Sequence, residues 1–325
     1  MTPIKVWLER AGAVESSHVV HAVVTGGEEV DRIWGDGDLE AFWRSSMKPF
    51  QALPLVEDGV FAELSLGDSE LAIACASHDA TQEHVAAATR ILEAAGAVED
   101  DLACGPHRPY DDAAARDLDV AGVLPGRLHN NCSGKHAGMI AWARNAGVNA
   151  NGYHQYAHPV QQRIRRALTD WLDGDPEARV WGIDGCGVPT PRMSLAEMAG
   201  AYARFGASDA PGASRIASAM TANPIMVSGA SALSSSLMTV TGGRLLAKEG
   251  AEGVFCVAEP GRTWGAAFKV TDGAMRAMGP AVVEVLSRIG TLATAEVEAL
   301  GRFSTVTVSN TREEPVACLR VAPGS

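Results

Sequence analysis

The sequence predicts an α+β fold: an antiparallel sheet built from strands at both ends of the chain, with helices from its middle packed around it. Three observations carry this. The opening residues hold β-rich runs separated by glycine-containing turns, the middle is dense in helix start and stop signals, and the last third returns to β-rich runs.

Taken in order, Ile4–Glu9, Ser17–Thr25 and Val30–Trp34 read as a meander. The apolar run Leu71–Ala76 reads as a buried strand that ends at Ser77. Asp79 with Gln82 reads as an N-cap pair for a helix that starts near Thr81 and closes at Gly96. An asparagine of the Asn130-Asn131 pair caps a helix through Ala137–Ala143. Pro159 suits the first turn of a helix running to about Leu172, and Ser194 with Glu197 forms a capping box for a helix ending at Gly206. Trp181–Ile183 is strand-like and runs into a glycine- and proline-rich loop. Gly253–Ala258 and Gly265–Thr271 read as neighbouring strands joined at Pro260-Gly261. A helix over Ala274–Ile289 and closing strands at Ser304–Val308 and Ala317–Val321 complete the chain. No repeat, low-complexity tract or long polar linker divides it, so residues 1–325 read as one domain.

Composition narrows the function. The 325 residues are 46% apolar and 20% charged, with a net charge of −12. Nucleic acid and anionic membranes call for clustered Lys and Arg, so neither is an expected partner. No run of about 18 apolar residues suggests a span, and no basic, then apolar leader opens the sequence, so a cytoplasmic location is the default expectation. The six cysteines are widely spaced with no C-x-x-C pair, which argues against a disulfide framework in such a compartment.

Several short stretches carry chemistry. In Arg44-Ser45-Ser46-Met47-Lys48-Pro49-Phe50-Gln51, Ser45 and Lys48 are three apart, so one helical face brings them together. Pro49 belongs in a first turn, which places Ser45 at or just before the helix start, beside free N–H groups and the positive end of the helix dipole. A desolvated neutral lysine is a competent base for a serine nucleophile. Against this, a chain of this length contains an S-x-x-K by chance about once. Ser77, in Ala74-Cys75-Ala76-Ser77-His78-Asp79, is a second candidate, with simple helix capping as the plainer reading. Lys248, in Lys248-Glu249-Gly250, resembles the lysine of the K-T-G element of serine–lysine hydrolases, although Glu249 stands where those carry a hydroxyl.

A further constellation joins Cys132 and Lys135, one helical turn apart in Asn130-Asn131-Cys132-Ser133-Gly134-Lys135-His136, to Asp184 and Cys186 in the loop after Trp181–Ile183. Two thiolates suit zinc, which takes about four ligands. Lysine is an unusual ligand, because its amine has a reference pKa of about 10.4 and must lose a proton first. Buried thiols and a turn aspartate are the plainer reading.

Together the stretches R-S-x-x-K-P-x-Q, C-A-S-H, C-G-x-H, H-N-N-C-S-G-K-H, G-x-D-G-C-G-x-P and G-G-R-L-x-A-K-x-G-A-E-G, in this order from about Trp7 to Gly273, resemble the thermolabile, Rhizobium-type L-asparaginases, the asparaginase II family. The resemblance implies a fold similar to serine β-lactamases and glutaminases, a homodimer, and hydrolysis of L-asparagine to L-aspartate and ammonia. It implies Ser–Lys tandems Ser45–Lys48 and Ser77–Lys248, with Ser45 the expected nucleophile and Ser77 its alternative. It further implies Zn2+ on Cys132, Lys135 and Cys186 with a water, Asp184 orienting Lys135 or that water, and substrate contacts from Arg44, His78 and Asn131. Another serine amidohydrolase on the same fold, a glutaminase or β-lactamase-like enzyme, is the alternative.

Overall fold

The β-rich runs at the two ends of the chain pair in one sheet, as expected. The computed structural model describes residues 1–26 and 30–325. Its strands are β1 (Ile4–Arg10), β2 (Ala13–Thr25), β3 (Val30–Trp34), β4 (Glu40–Phe42), β5 (Trp181–Ile183), β6 (Pro189–Ser194), β7 (Leu246–Gly250), β8 (Val254–Ala258), β9 (Gly265–Val270), β10 (Val306–Ser309) and β11 (Pro315–Val321). The chain forms two compact units, one of Met1–Ser46, Met193–Ala207 and Ser236–Ser325, the other of Met47–Arg192 and Ser208–Ser235.

In the first unit an eight-stranded sheet runs in the order β10-β11-β1-β2-β9-β8-β7, with β3 also paired to β2. Its pairings are antiparallel, with Ile4 opposite Val20, Ala22 opposite Phe268, and Phe255 opposite Phe268. Ile4, Val6 and Leu8 are buried while Lys5 between them is exposed, so a one-residue slip would turn an apolar row to solvent. The helix Leu195–Ala207 covers β2, β8 and β9. It opens on the expected box: Ser194 N–H donates to Glu197 Oε2 (2.8 Å) and Glu197 N–H to Ser194 Oγ (3.2 Å). Gly265 lets it approach closely, since a Cβ there would lie 2.4 Å from the Ala199 carbonyl oxygen. The helix Met278–Arg288 packs against β1, β9 and β11.

The second unit is mainly helical, with β5 and the start of β6 as a hairpin in which Gly182 faces Thr190. Its centre is the helix Ser133–Asn145, buried from Ser133 through Ala141, which packs against the helices Asp68–Ala74 and Gln82–Ala94. Small residues allow this. A Cβ on Gly134 would lie 2.3 Å from the Ile73 carbonyl oxygen, and one on Gly138 2.8 Å from Leu55 Cδ1.

Four expectations are corrected. Leu71–Ala74 is the end of the helix Asp68–Ala74, not a strand. Asp68 and Glu70 lie in its first turn, and Glu70 Oε2 accepts the Gly67 N–H (3.0 Å), a start signal that a short apolar run does not reveal. The helix Gln82–Ala94 is opened by Thr81, whose N–H donates to His84 Nδ1 (3.2 Å), so the Asp79–Gln82 pair is not the cap. The helix beginning at Pro159 ends at Leu168, short of Leu172. Ser45 lies within a 3-10 turn, Arg44–Met47, and the helix that follows, Lys48–Gln51, has four residues. A helix dipole sums over aligned peptides, so one turn supplies little of the field expected at Ser45.

Among the described residues no helix is long and apolar enough to cross a membrane.

Candidate functional site

The second unit gathers most of the sequence-predicted residues. The helix Asp68–Ala74 ends at Cys75, and the chain then passes through Ser77 and His78 outside regular secondary structure. Lys48, fully buried, points its amine at this segment: Nζ donates to Ser77 Oγ at 2.9 Å and to the Ala76 carbonyl. Ser77 itself is held by its N–H, which donates to the Val227 carbonyl (2.9 Å). A buried amine on a serine hydroxyl is the arrangement general-base activation requires.

His78 is fully buried and stacks on His84, with ring centroids 5.3 Å apart. Its Nδ1 accepts the Ala80 N–H (3.1 Å), so the ring proton is on Nε2, 2.9 Å from Ser133 Oγ. Burial, with His84 and Lys48 nearby, holds this imidazole well below the usual range. The turn after it is tight: Ala80 has φ 63°, and Gly229 lies so close that a Cβ would sit 1.7 Å from Asp79 Oδ2. Both His78 nitrogens thus face protein groups, where the resemblance implied a substrate contact.

Asn131 is reached from two sides. Its carbonyl accepts the His78 N–H (3.1 Å), and its N–H donates to His107 Nε2 (2.8 Å). His107 stacks on Tyr110 at 4.8 Å. The next helix starts at Cys132 without a side-chain cap, so neither asparagine is the cap expected there; Asn130, two residues earlier, accepts the Cys132 N–H on Oδ1 (2.9 Å).

Cys132, Lys135 and Cys186 come together from the helix start and the Asp184–Val188 turn, all three buried. Lys135 Nζ lies 2.9 Å from Cys186 Sγ. The turn is closed by the Gly187 N–H on the Asp184 carbonyl (2.8 Å), with Gly187 at φ 90°, a conformation glycine adopts readily. The two thiols are hydrogen-bonded to each other. The hydrogen bond between them and burial push Cys132 up to about 12, while the same bond and the Lys135 charge hold Cys186 well below its ordinary value. Burial opposes the charge on Lys135, but Cys186, Cys132 and Asp184 outweigh it and raise its pKa. Opposite charges on Lys135 and Cys186 thus favour each other, and Asp184 adds to the field that favours a charged Lys135.

Behind this cluster His136 Nδ1 meets the Tyr153 hydroxyl at 2.6 Å, and that hydroxyl accepts the Ala103 N–H (2.8 Å). Sequence reading missed Tyr153, His107 and Tyr110. His107 closes the C-G-x-H stretch but was given no role of its own, while Tyr110 and Tyr153 stand outside the motifs, where the available signal was an aromatic in an otherwise polar loop.

The first unit holds Arg44, Ser45 and Lys248. Arg44 has φ 54°, a strained value for a side-chain-bearing residue. Lys248 is fully buried on β7, paired opposite Cys256, and its Nζ donates to the Glu249 carbonyl (2.9 Å). Ser46, next to Ser45, donates its hydroxyl to the Lys248 carbonyl (3.0 Å), and its own carbonyl accepts the Tyr202 hydroxyl (2.7 Å). The expected tandems Ser45–Lys48 and Ser77–Lys248 each draw one residue from each unit, whereas the second unit on its own provides Lys48–Ser77.

No curated protein matches the sequence. Solved structures that it resembles include Mglu in its native form in 4.3 M NaCl, at 16% identity and TM-score 0.37, covering 84% of this chain and 61% of that one. Another is Mglu in its L-glutamate binding form, at 18% identity, TM-score 0.37 and the same coverages, 84% and 61%. The chain therefore spans about three fifths of the length of these structures. The sequence pattern of L-asparaginase II matches residues 6–321, past the stretch from Trp7 to Gly273 that carries the motifs, and the chain belongs to that family.

Proposed function

We propose that this chain is an L-asparaginase that hydrolyses L-asparagine to L-aspartate and ammonia through a Ser–Lys acyl-enzyme. Family membership supports an asparaginase-like amidohydrolase. The observation that carries the mechanism is the buried Lys48 amine 2.9 Å from Ser77 Oγ. Lys48 takes the Ser77 proton as Oγ bonds to the side-chain amide carbon. The C–N bond then breaks, ammonia leaves with a proton, and water hydrolyses the ester to release aspartate. This makes Ser77 the attacking group in place of Ser45. In this reading Arg44, Ser45 and Lys248 serve substrate binding and proton relay. The fold we infer is that of serine β-lactamases and glutaminases, one asparaginase domain across 1–325, working as a cytoplasmic homodimer.

The test is ammonia release from L-asparagine by the purified protein, with L-glutamine as control and the acyl-enzyme located by mass spectrometry. Release from asparagine with the adduct on Ser77 is expected. An adduct on Ser45 would return that serine to the attacking role and leave Ser77 as relay. Release from glutamine alone would replace the asparaginase reading with a glutaminase.

Zinc is part of the same proposal. Among the described residues no group of three His, Cys, Asp or Glu side chains is placed to hold a metal, so a metal here would need the Lys135 amine as its third protein donor. Cys132, Cys186 and Lys135 offer two sulfur donors and an amine in one buried cluster, which fits a tetrahedral ion with water as fourth ligand. Bound there, zinc would polarise a substrate group or grip the α-amino and α-carboxylate groups. Metal-free protein is expected to take up about one zinc per chain, and Cys186→Ala to lose that uptake, as read with a chromogenic chelator. Unchanged activity and KM in fully metal-free protein would remove zinc from the mechanism.

A further inference from the structure

The loop bearing Ser77 and the helix bearing Cys132 and Lys135 are joined through one side chain. His78 donates its N–H to the Asn131 carbonyl (3.1 Å), one residue before Cys132. Its ring reaches past that point to Ser133, the first residue of the helix Ser133–Asn145, with Nε2 2.9 Å from Oγ. On its other edge Nδ1 accepts the Ala80 N–H (3.1 Å), which fixes the ring's tautomer and closes the turn after Ser77. His84 stacks on the ring face at 5.3 Å and is itself anchored, its Nε2 2.9 Å from the Ile225 carbonyl oxygen. The ring is fully buried and has one orientation that satisfies both nitrogens.

We propose that His78 is a positioning residue that locks the Ser77 turn to the first turn of the Ser133–Asn145 helix, holding the Lys48–Ser77 pair at a set distance from the Cys132–Lys135–Cys186 cluster. The inference rests on the asparaginase reading for its kinetic consequence, but the lock itself does not. Removing one end of the lock leaves the reacting groups in place and loosens their spacing. Misplacement by about 1 Å costs about 10²-fold in rate.

Three substitutions separate the two ends. His78→Asn keeps an oxygen able to accept the Ala80 N–H but cannot reach Ser133. Ser133→Ala removes the far acceptor and leaves the histidine. His78→Gln carries an amide N–H near the Nε2 position and restores the reach. The experiment measures kcat and KM for ammonia release, together with the rate at which a fluorophosphonate labels Ser77, on variants whose melting shows them folded. His78→Asn and Ser133→Ala are expected to lower kcat and the labelling rate about 10²-fold with KM unchanged, and His78→Gln to recover most of both. Parent-like kcat and labelling in folded His78→Asn and Ser133→Ala would overturn the proposal. A parent protein that labels at Ser77 without releasing ammonia from asparagine, and whose labelling slows in both variants, would remove the asparaginase reading and leave the lock standing.

Discussion

Lys48→Met is expected to lower ammonia release from L-asparagine by on the order of 10⁴-fold while the protein keeps or gains thermal stability. Lys48 is fully buried, and its amine meets the Ser77 hydroxyl at 2.9 Å and the Ala76 carbonyl. A lysine held away from water is costly to a fold, and a methionine of similar length fills the same space without a charge to desolvate. A structural lysine would therefore show its loss in the melt, and a catalytic one in kcat. The expected rate loss corresponds to about 5 kcal/mol of transition-state stabilisation, the size reported by removing a base that acts as a unit with its nucleophile. Ser77→Ala should fall to a similar level, and the double variant should lose little more, because both act on the same proton. A folded Lys48→Met protein with more than about a tenth of parental kcat would end the Lys48–Ser77 mechanism.

Gly134→Ala should destabilise the protein by about 3 kcal/mol and cut activity by about 10²-fold. In a helix, alanine is normally favoured over glycine by about 1 kcal/mol, so this change would stabilise an ordinary helix. Here the new Cβ would lie 2.3 Å from the Ile73 carbonyl oxygen and 2.8 Å from its carbon, contacts with backbone that no rotamer relieves. The helix must move away from Asp68–Ala74, and it carries Ser133 and Lys135 with it. Gly301→Ala, where nothing lies within 4 Å, is the matched control and should be close to neutral. Chemical denaturation and kcat together check this. An unchanged denaturation midpoint for Gly134→Ala would show that the two helices are not in contact as described.

Much of the fold was legible because strand signals are local. The β-rich runs and the turn at Pro260-Gly261 need only neighbouring residues to be read, and strands from both ends of the chain pair in one sheet accordingly. The run Leu71–Ala76 failed for the opposite reason. A short apolar stretch suits a buried helix as well as a strand, and what decides between them is the start at Gly67–Glu70 and the surrounding helices. Asp79 looked like a cap, but the choice of Thr81 depends on His84, which is anchored by the distant Ile225 carbonyl.

The candidate site divides in the same way. The sequence by itself determined membership of the L-asparaginase II family and supplied the candidates: Ser45, Lys48, Ser77 and Lys248, and the Cys132–Lys135–Asp184–Cys186 set. Spacing along a helix could speak to Ser45 with Lys48 or Cys132 with Lys135, because a turn of helix is local geometry. Only the tertiary structure decided that Lys48 reaches Ser77 across 29 positions, that Cys186 meets Lys135 across 51, and that His78 bridges 55 to Ser133. Those contacts depend on which helices pack, on glycines that let them approach, and on buried polar groups finding partners. None of these is a property of any short stretch of sequence.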